Sequence, residues 1–359
     1  MNIKAKTILS GKSLMYWRIA QILLGLIGLV IFFLLIFFPE IGIHAFWNVL
    51  IPVAPALLII CAGVWRNICP LASTSLISSH FGFSKNKRLK VDRQARLHLI
   101  SVLLLFLIVP LRHTIFDTNG PATAILIGIT ALLAFYISYR YDWKSAWCSG
   151  LCPVHPVEKL YGRKSLFVLD NAHCKSCINC VSLCPDSTPT IHPLYKKKKT
   201  LSNKIAGSLM IGGFPGFIWG WFHIQDYYNS EGWDHLYATY AYPILTMTIT
   251  LVLFFVMKKT FSRKYEIVII NLFATSSISI YYWYRLPALI GFGIFQGDGM
   301  LFDLSHSLPN WFPNILQIST TVFFSWWLIF NKKEMTSWLI RPTYGKRKKS
   351  MPNLINSVN

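Results

Sequence analysis

Long apolar stretches alternate with shorter polar ones along most of the chain. Each apolar stretch has about 20 residues, the length of helix that crosses a hydrocarbon layer of ~30 Å. The pattern therefore predicts about eight transmembrane helices, at residues 17–38, 45–65, 97–116, 122–141, 205–224, 237–257, 267–290 and 311–330. No small-residue cleavage site follows the first stretch, so we expect it to anchor the chain and not to be removed as a signal peptide.

The composition agrees with a membrane protein. Of the 359 residues, 53% are hydrophobic and 14% are charged, and the mean hydropathy is +0.45. Soluble domains carry about 25% charged residues. The predicted fold class is accordingly an all-α polytopic membrane protein.

The formal net charge of +21 suggests nucleic-acid binding at first, but the positions of the charges indicate topology instead. Apart from Arg112 and Arg285, every Lys and Arg lies before or at the start of the first predicted helix, after the last one, or in the alternate segments 66–96, 140–204 and 258–264. Positive charge stays on the cytoplasmic side of a membrane. We therefore expect a multi-pass protein of a bacterial inner membrane, surrounded by lipid, with both termini and the segment 142–203 in the cytoplasm. We expect no nucleic-acid partner.

Four cysteines of that cytoplasmic segment follow the spacing C-x2-C-x2-C-x3-C, with Pro185 next: Cys174, Cys177, Cys180 and Cys184. Bacterial ferredoxins hold a cubane [4Fe–4S] cluster with this run. The alternatives are weaker, because zinc sites use two separated cysteine pairs and cytoplasmic thiols seldom form disulfides. The four cysteines are thus the predicted cofactor-binding and metal-ligating residues. They lie in a small ferredoxin-type loop module at 142–203, between membrane regions 1–141 and 204–359.

Three further cysteines lie just beyond the cytoplasmic ends of predicted helices, and we call Cys69, Cys148 and Cys152 the helix-mouth cysteines. Cys69 and Cys152 each precede a proline, which cannot continue a helix and turns the backbone away. The three are a candidate second metal or cluster site. The alternatives are small apolar residues at a helix end, or a Cu(I) site, which thiolates suit well. Cys61, inside the second predicted helix, is expected to be a small buried residue.

Cys-Pro motifs at helix ends together with a cytoplasmic ferredoxin-type run resemble a family of polytopic iron–sulfur membrane proteins. That family includes the quinol-dehydrogenase membrane subunit of periplasmic nitrate reductase systems, the membrane regulator of nitrous oxide reduction, and the cbb3-oxidase assembly protein. The resemblance covers roughly residues 45–190. Two features depart from it. Trp65 stands where a C-x3-C-P pattern would begin with cysteine, and only one ferredoxin-type run is present.

The single run leaves two ligand schemes open. In the first, Cys174, Cys177, Cys180 and Cys184 hold one [4Fe–4S] cluster, with the helix-mouth cysteines near it. In the second, Cys184 ligates another cluster, as the fourth cysteine does in two-cluster ferredoxins. The helix-mouth cysteines then supply the remaining ligands.

At the predicted outer ends of the helices, Arg112, His113 and Arg285 form a candidate quinol site. A histidine or carboxylate would take the proton of the quinol and an arginine would orient its head group. The alternatives are interfacial side chains that reach water by snorkelling, or a haem held by two histidines. On the cytoplasmic side, His98, His155 and His173 are expected to be solvated.

The sequence therefore predicts a membrane-bound iron–sulfur protein that passes electrons between the quinone pool and a redox partner protein. Such a protein would be the membrane component of a quinol-linked oxidoreductase. The alternatives are a metallocentre-assembly or copper-handling factor for a respiratory enzyme, and a membrane redox sensor.

Overall fold

The structure is a computed structural model. It describes residues 11–87, 89–162, 165–167, 169, 171–175, 200–228 and 231–331. Within these ranges the chain is mostly helical and has no β-strand. Three cysteines of the ferredoxin-type run, Cys177, Cys180 and Cys184, lie outside the described residues, as do residues 1–10 and the basic tail from 332.

Seven α-helices form the first part of the chain: α1 (Gly11–Phe37), α2 (Pro39–Ile43), α3 (Ile51–Ile68), α4 (Pro70–His80), α5 (Val91–Ile108), α6 (Gly120–Arg140) and α7 (Val154–Tyr161). Three wider, π-helical segments adjoin them: His44–Leu50, Arg112–Phe116 and Lys144–Leu151. Two of these three segments hold residues that the sequence singled out. Such widened turns are frequent at functional sites.

The second part contains α8 (Leu201–Ser208), α9 (Phe214–Trp221), α10 (Glu231–Asp234), α11 (Leu236–Thr260), α12 (Glu266–Leu289) and α13 (Phe312–Ser325). The π-helical segment Leu209–Gly213 joins α8 to α9, and a similar one, Trp326–Phe330, continues α13. Helical structure thus covers each of the eight apolar stretches of the sequence.

Five helical segments of the described chain are long and apolar enough to cross a membrane: Gly11–Phe37, Pro39–His80, Gly120–Arg140, Leu236–Thr260 and Arg263–Leu289. The second of them combines α2, α3 and α4. Their outer surfaces are rich in exposed Leu, Ile, Val and Phe, which is the surface that lipid tails would cover. These features are those of a multi-pass membrane protein.

Helix α9 packs closely on α11 through a line of glycines. A Cβ added at Gly216 would collide with the backbone carbonyl of Thr246, and one at Gly212 would overlap Phe254. The Thr246 hydroxyl donates a hydrogen bond to the Gly216 carbonyl, 2.7 Å away. The four-residue glycine spacing in the sequence therefore marks a close helix–helix contact, as small residues do in membrane proteins.

Helix α3 is broken at Cys61, whose φ of −152° and ψ of 78° are not helical. The segment 165–167 supplies the hydrogen bonds that the break removes. The Ala62 amide donates to Ser165 Oγ at 2.8 Å, and the amides of Leu166 and Phe167 donate to the carbonyls of Ile59 and Ile60. The segment that leads to the ferredoxin-type run is thereby fixed to the helix that ends at Ile68, just before Cys69.

Candidate functional sites at the two ends of the helix bundle

The structure brings the helix-mouth cysteines into one region. Cys69 lies between α3 and α4, and Cys148 and Cys152 lie in and after the segment Lys144–Leu151. Cys69 and Cys148 pack against the side chains of one buried cluster that contains Trp143. Cys148 and Cys152 pack together against a second cluster that contains Trp147. The separate Cys-Pro turns therefore place Cys69, Cys148 and Cys152 close together, and we call this region the thiol-rich layer.

Burial controls the charge of these thiols. It raises the pKa of Cys148 well above its usual value, against the opposing effect of the Lys144 ammonium. Burial, with a smaller contribution from nearby Cys69, raises the pKa of Cys152 to about 12. A metal ligand must be a thiolate, so only a bound cationic group would keep these two side chains deprotonated. Among the described residues, no three His, Cys, Asp or Glu side chains are arranged to hold a metal ion.

The start of the ferredoxin-type run is attached to this layer by Asn67. Its side chain is fully buried, and its Oδ1 accepts a 2.6 Å hydrogen bond from the Ala172 amide. Ala172–Lys175 is a 3-10 turn, so Cys174 belongs to the anchored segment. Cys69 and Cys174 each lie two residues from this hydrogen bond, at most ~7 Å along the chain. The thiol-rich layer and the beginning of the run are therefore neighbours.

His98, His155 and His173 are buried, so the expectation that they would be solvated was wrong. His98, His155 and His173 are each 1% exposed. The rings of His98 and His155 lie 5.6 Å apart, and that of His173 lies 5.7 Å from Trp143. No local pattern of residues indicates this burial, because the segments that cover these side chains come from distant positions in the chain.

The same region contains a buried ion pair. Arg66 Nε donates to Glu158 Oε1, and both side chains are more than nine-tenths buried. Burial acts to raise the pKa of Glu158, but the Arg66 guanidinium and the neighbouring His155 outweigh it and lower this pKa to about 2. The carboxylate therefore stays charged at neutral pH and holds α3 to α7.

At the other end of the bundle, the two arginines of the candidate quinol site meet at Asn48, and His113 follows Arg112 directly in the chain. Arg112 Nη2 donates to Asn48 Oδ1 at 3.0 Å, and Arg285 Nη2 donates to the same oxygen at 2.5 Å. Arg112 also donates two hydrogen bonds to Asp117, at 2.8 and 3.0 Å. Its guanidinium lies 5.1 Å from the Trp47 ring and 5.3 Å from the Trp221 ring, within cation–π range.

His113 has both ring nitrogens engaged. Nε2 lies 3.0 Å from the Trp221 carbonyl oxygen, and Nδ1 lies 2.5 Å from Asp226 Oδ1. A carbonyl only accepts, so Nε2 carries a proton. The contact between Nδ1 and Asp226 then holds a single proton, which belongs either to the imidazolium or to the carboxylic acid.

Asp298 connects this group to the surface. Its Oδ2 accepts a 2.7 Å hydrogen bond from the Asp226 amide. Burial, and then the charge of Asp226, raise the pKa of Asp298 to about 6. We call the set Arg112, His113, Asp117, Asp226, Arg285 and Asp298 the ionic pocket.

The ionic pocket contains a cavity of about 40 Å³, enough for roughly three water molecules. Two buried polar atoms at its wall, Arg285 Nε and Asp117 Oδ1, have no hydrogen-bond partner among the described residues. Buried polar groups are nearly always paired with protein or water. A donor and an acceptor left without a protein partner therefore point to a polar occupant.

Sequence reasoning found the three basic members of the pocket but missed the three acidic ones. Asp117, Asp226 and Asp298 come from three different connections between helices, and nothing local in the sequence indicates that they meet. The signal that could have found them is the charge itself, since Arg112 and Arg285 at membrane depth require buried acidic or polar partners.

The fold and these two sites define a helical protein of membrane type, with a thiol-rich layer at one end and an ionic pocket at the other. A 70-residue segment, 19% of this chain, is 38% identical to the ferredoxin-type protein NapH of Haemophilus influenzae. The matching segment spans only 24% of that protein's length. The chain matches no known protein-family profile, and no solved structure matches it.

Proposed function

We propose that this chain is a multi-pass membrane iron–sulfur protein that transfers electrons between the quinone pool and a redox partner protein. The proposal includes eight transmembrane helices, with both termini and the ferredoxin-type run in the cytoplasm of a bacterium. Support comes from the five long apolar helices, from the distribution of positive charge in the sequence, and from the partial similarity to a ferredoxin-type protein.

The observation that carries the proposal is the hydrogen bond between Asn67 and Ala172. It ties the first part of the run, at Cys174, to the helix end that carries Cys69. A cluster bound by Cys174, Cys177, Cys180 and Cys184 would therefore lie beside the thiol-rich layer, at the edge of the membrane. A [4Fe–4S] cluster supplies one-electron chemistry, and the protein sets its position and potential.

We assign the quinol to the ionic pocket, where Arg285 and Arg112 orient the head-group oxygens. The cavity is smaller than a quinol ring, so a side chain at its edge, such as Tyr284 or Phe295, must move aside on binding. The pocket adjoins Asn48, which lies 21 positions before Cys69 along a largely helical stretch, so the two are at most roughly 30 Å apart. Electron transfer between the two ends needs relay groups across that distance. One buried hydrophobic cluster contains the aromatic rings of Tyr161 and Phe217, and we propose these rings as relay groups.

The cluster assignment is tested by replacing Cys177 with Ala. Loss of one thiolate from a four-thiolate site should remove most of the iron, the acid-labile sulfide and the visible charge-transfer absorbance of the purified protein. Cys61→Ala is the matched control, because Cys61 is a buried cysteine outside the proposed ligands. An unchanged iron content in the purified Cys177→Ala variant would contradict the assignment.

The same measurement on the unaltered protein decides the number of clusters. One cluster gives about four iron atoms per chain, and two give about eight. We propose one cluster with the helix-mouth cysteines beside it, because the run by itself supplies the four thiolates that one [4Fe–4S] cluster needs.

A copper-handling role is the second candidate, and the convergence of Cys69, Cys148 and Cys152 favours it. Two or three thiolates in an apolar setting suit Cu(I). This role predicts Cu(I) binding that disappears in a Cys148→Ser variant while the iron content stays unchanged.

A further inference from the structure

The ionic pocket contains more acid–base groups than head-group binding requires. Two of them, Asp226 and Asp298, are joined through the Asp226 amide, and they differ in exposure. The Asp226 side chain is 8% exposed, whereas Asp298 is only about half buried. Together they reach from the interior of the pocket to water.

His113 is not free to receive a proton from a substrate. Its Nε2 proton is donated to the Trp221 carbonyl, and its Nδ1 already shares a proton with Asp226. A proton entering the pocket must therefore go to a carboxylate oxygen. Asp117 is the poorer route to water, because its side chain is 5% exposed and Arg112 donates two hydrogen bonds to its Oδ2.

We infer that Asp298, coupled to the Asp226–His113 pair, is the proton acceptor for quinol oxidation and releases the proton to water on the pocket side of the membrane. This inference rests on the quinol assignment made above. Oxidation of a quinol to a quinone breaks two O–H bonds and yields two protons and two electrons. The protons leave in turn through Asp298. The two electrons go one at a time, by way of the proposed cluster, to two equivalents of the redox partner, which is a one-electron oxidant.

The surroundings of Asp298 suit this role. Asp226 and Asp117 oppose its negative charge, and His113 favours it. The phenol of Tyr228 and the guanidinium of Arg285, which lies beside Gly299, are also close to it. Arg112 forms its ion pair with Asp117 and not with Asp298. Burial raises the pKa of Asp298 to about 6, so near neutral pH the side chain is mostly a carboxylate that can take a proton and lose it again. A general base works best with a pKa near the working pH.

The test uses the full chain with its cluster, in liposomes, and follows reduction of the cluster by a quinol as the pH is varied. In the unaltered protein the rate should rise with pH through about 6. Asp298→Asn should lower the rate about a hundredfold, the usual contribution of a general base, and abolish this rise. Asp298→Glu should restore a pH-dependent rate. Asp303→Asn is the matched control, since Asp303 lies in the same loop and is fully exposed.

A second readout does not depend on turnover. In infrared difference spectra of the chain, a carboxylic C=O band should appear as the pH falls through about 6 and should be missing in Asp298→Asn. The inference is overturned if Asp298→Asn keeps both the rate and its pH dependence, or keeps the band. If a quinol fails to reduce the cluster of the unaltered protein while dithionite succeeds, the quinol assignment itself falls, and this inference falls with it.

Discussion

Replacement of the single residue Asn67 tests how the ferredoxin-type run is positioned. Its buried side chain accepts the Ala172 amide proton and so docks the ferredoxin-type run. Asn67→Ala should leave that amide without a partner and lower the free energy of unfolding by about 1–3 kcal/mol. It should also raise the fraction of chains that lose iron on dilution. Urea unfolding and iron analysis measure both effects.

Asn314→Ala is the control, because Asn314 is an exposed helix residue near the other end of the bundle. Equal effects in the two variants would mean that the Asn67 hydrogen bond does not position the run.

At the scale of single residues, sequence reasoning succeeds where the chemistry is local. The four-cysteine run can be recognised because a cluster needs closely spaced thiolates. The burial of His155, and the meeting of Asp226 with His113, could not be predicted, because both depend on packing between distant segments.

At the level of the helices, two glycines should respond differently to replacement by alanine, since only one of them lies at the contact between α9 and α11. Gly216→Ala should push α9 from α11, because the new Cβ meets the Thr246 carbonyl, and overpacking of this kind costs about 1–3 kcal/mol. Gly25→Ala, in α1, has open space around it and should be neutral or slightly stabilising. Thermal unfolding in detergent compares the two. Similar melting temperatures would contradict the close contact.

The turn that follows the segment Lys144–Leu151 supports a second prediction at this scale. Cys152 lies at the boundary between the membrane region and the proposed cluster. Cys152→Ser should slow reduction of the cluster by quinol while the iron content stays intact. A loss of about half the iron would instead favour two clusters, and a loss of bound Cu(I) alone would favour copper handling. If none of these quantities changes, Cys152 is only a packing residue.

The elements themselves could be largely predicted from apolar length, and helices cover all eight stretches. The break in α3 could not be predicted from the sequence. Pro52 and Pro55 lie in the same helix with helical backbone angles, and the non-helical residue is Cys61. The break occurs there because segment 165–167 supplies replacement hydrogen bonds, and this tertiary contact leaves no local pattern in the sequence.

At the scale of the whole molecule, the topology is the first quantity to measure. Both ends of this chain should lie in the cytoplasm, because nearly all of its positive charge falls on one side of the predicted helices. A reporter fused after Asn359 should be active if it requires the cytoplasm and inactive if it requires the periplasm. The reverse result would place the ferredoxin-type run outside the cell and overturn the assignment of both ends.

The central claim is electron transfer from quinol to an iron–sulfur cluster in this chain, and one measurement addresses it directly. The purified protein, with its iron and sulfide determined, is placed anaerobically in liposomes with a reduced quinone, and the cluster is followed by its visible absorbance and by electron paramagnetic resonance. We predict that the quinol bleaches the absorbance and produces the signal of a reduced [4Fe–4S] cluster, and that Arg285→Gln prevents both without removing iron. A protein without iron, or a cluster that only dithionite reduces, would contradict the account.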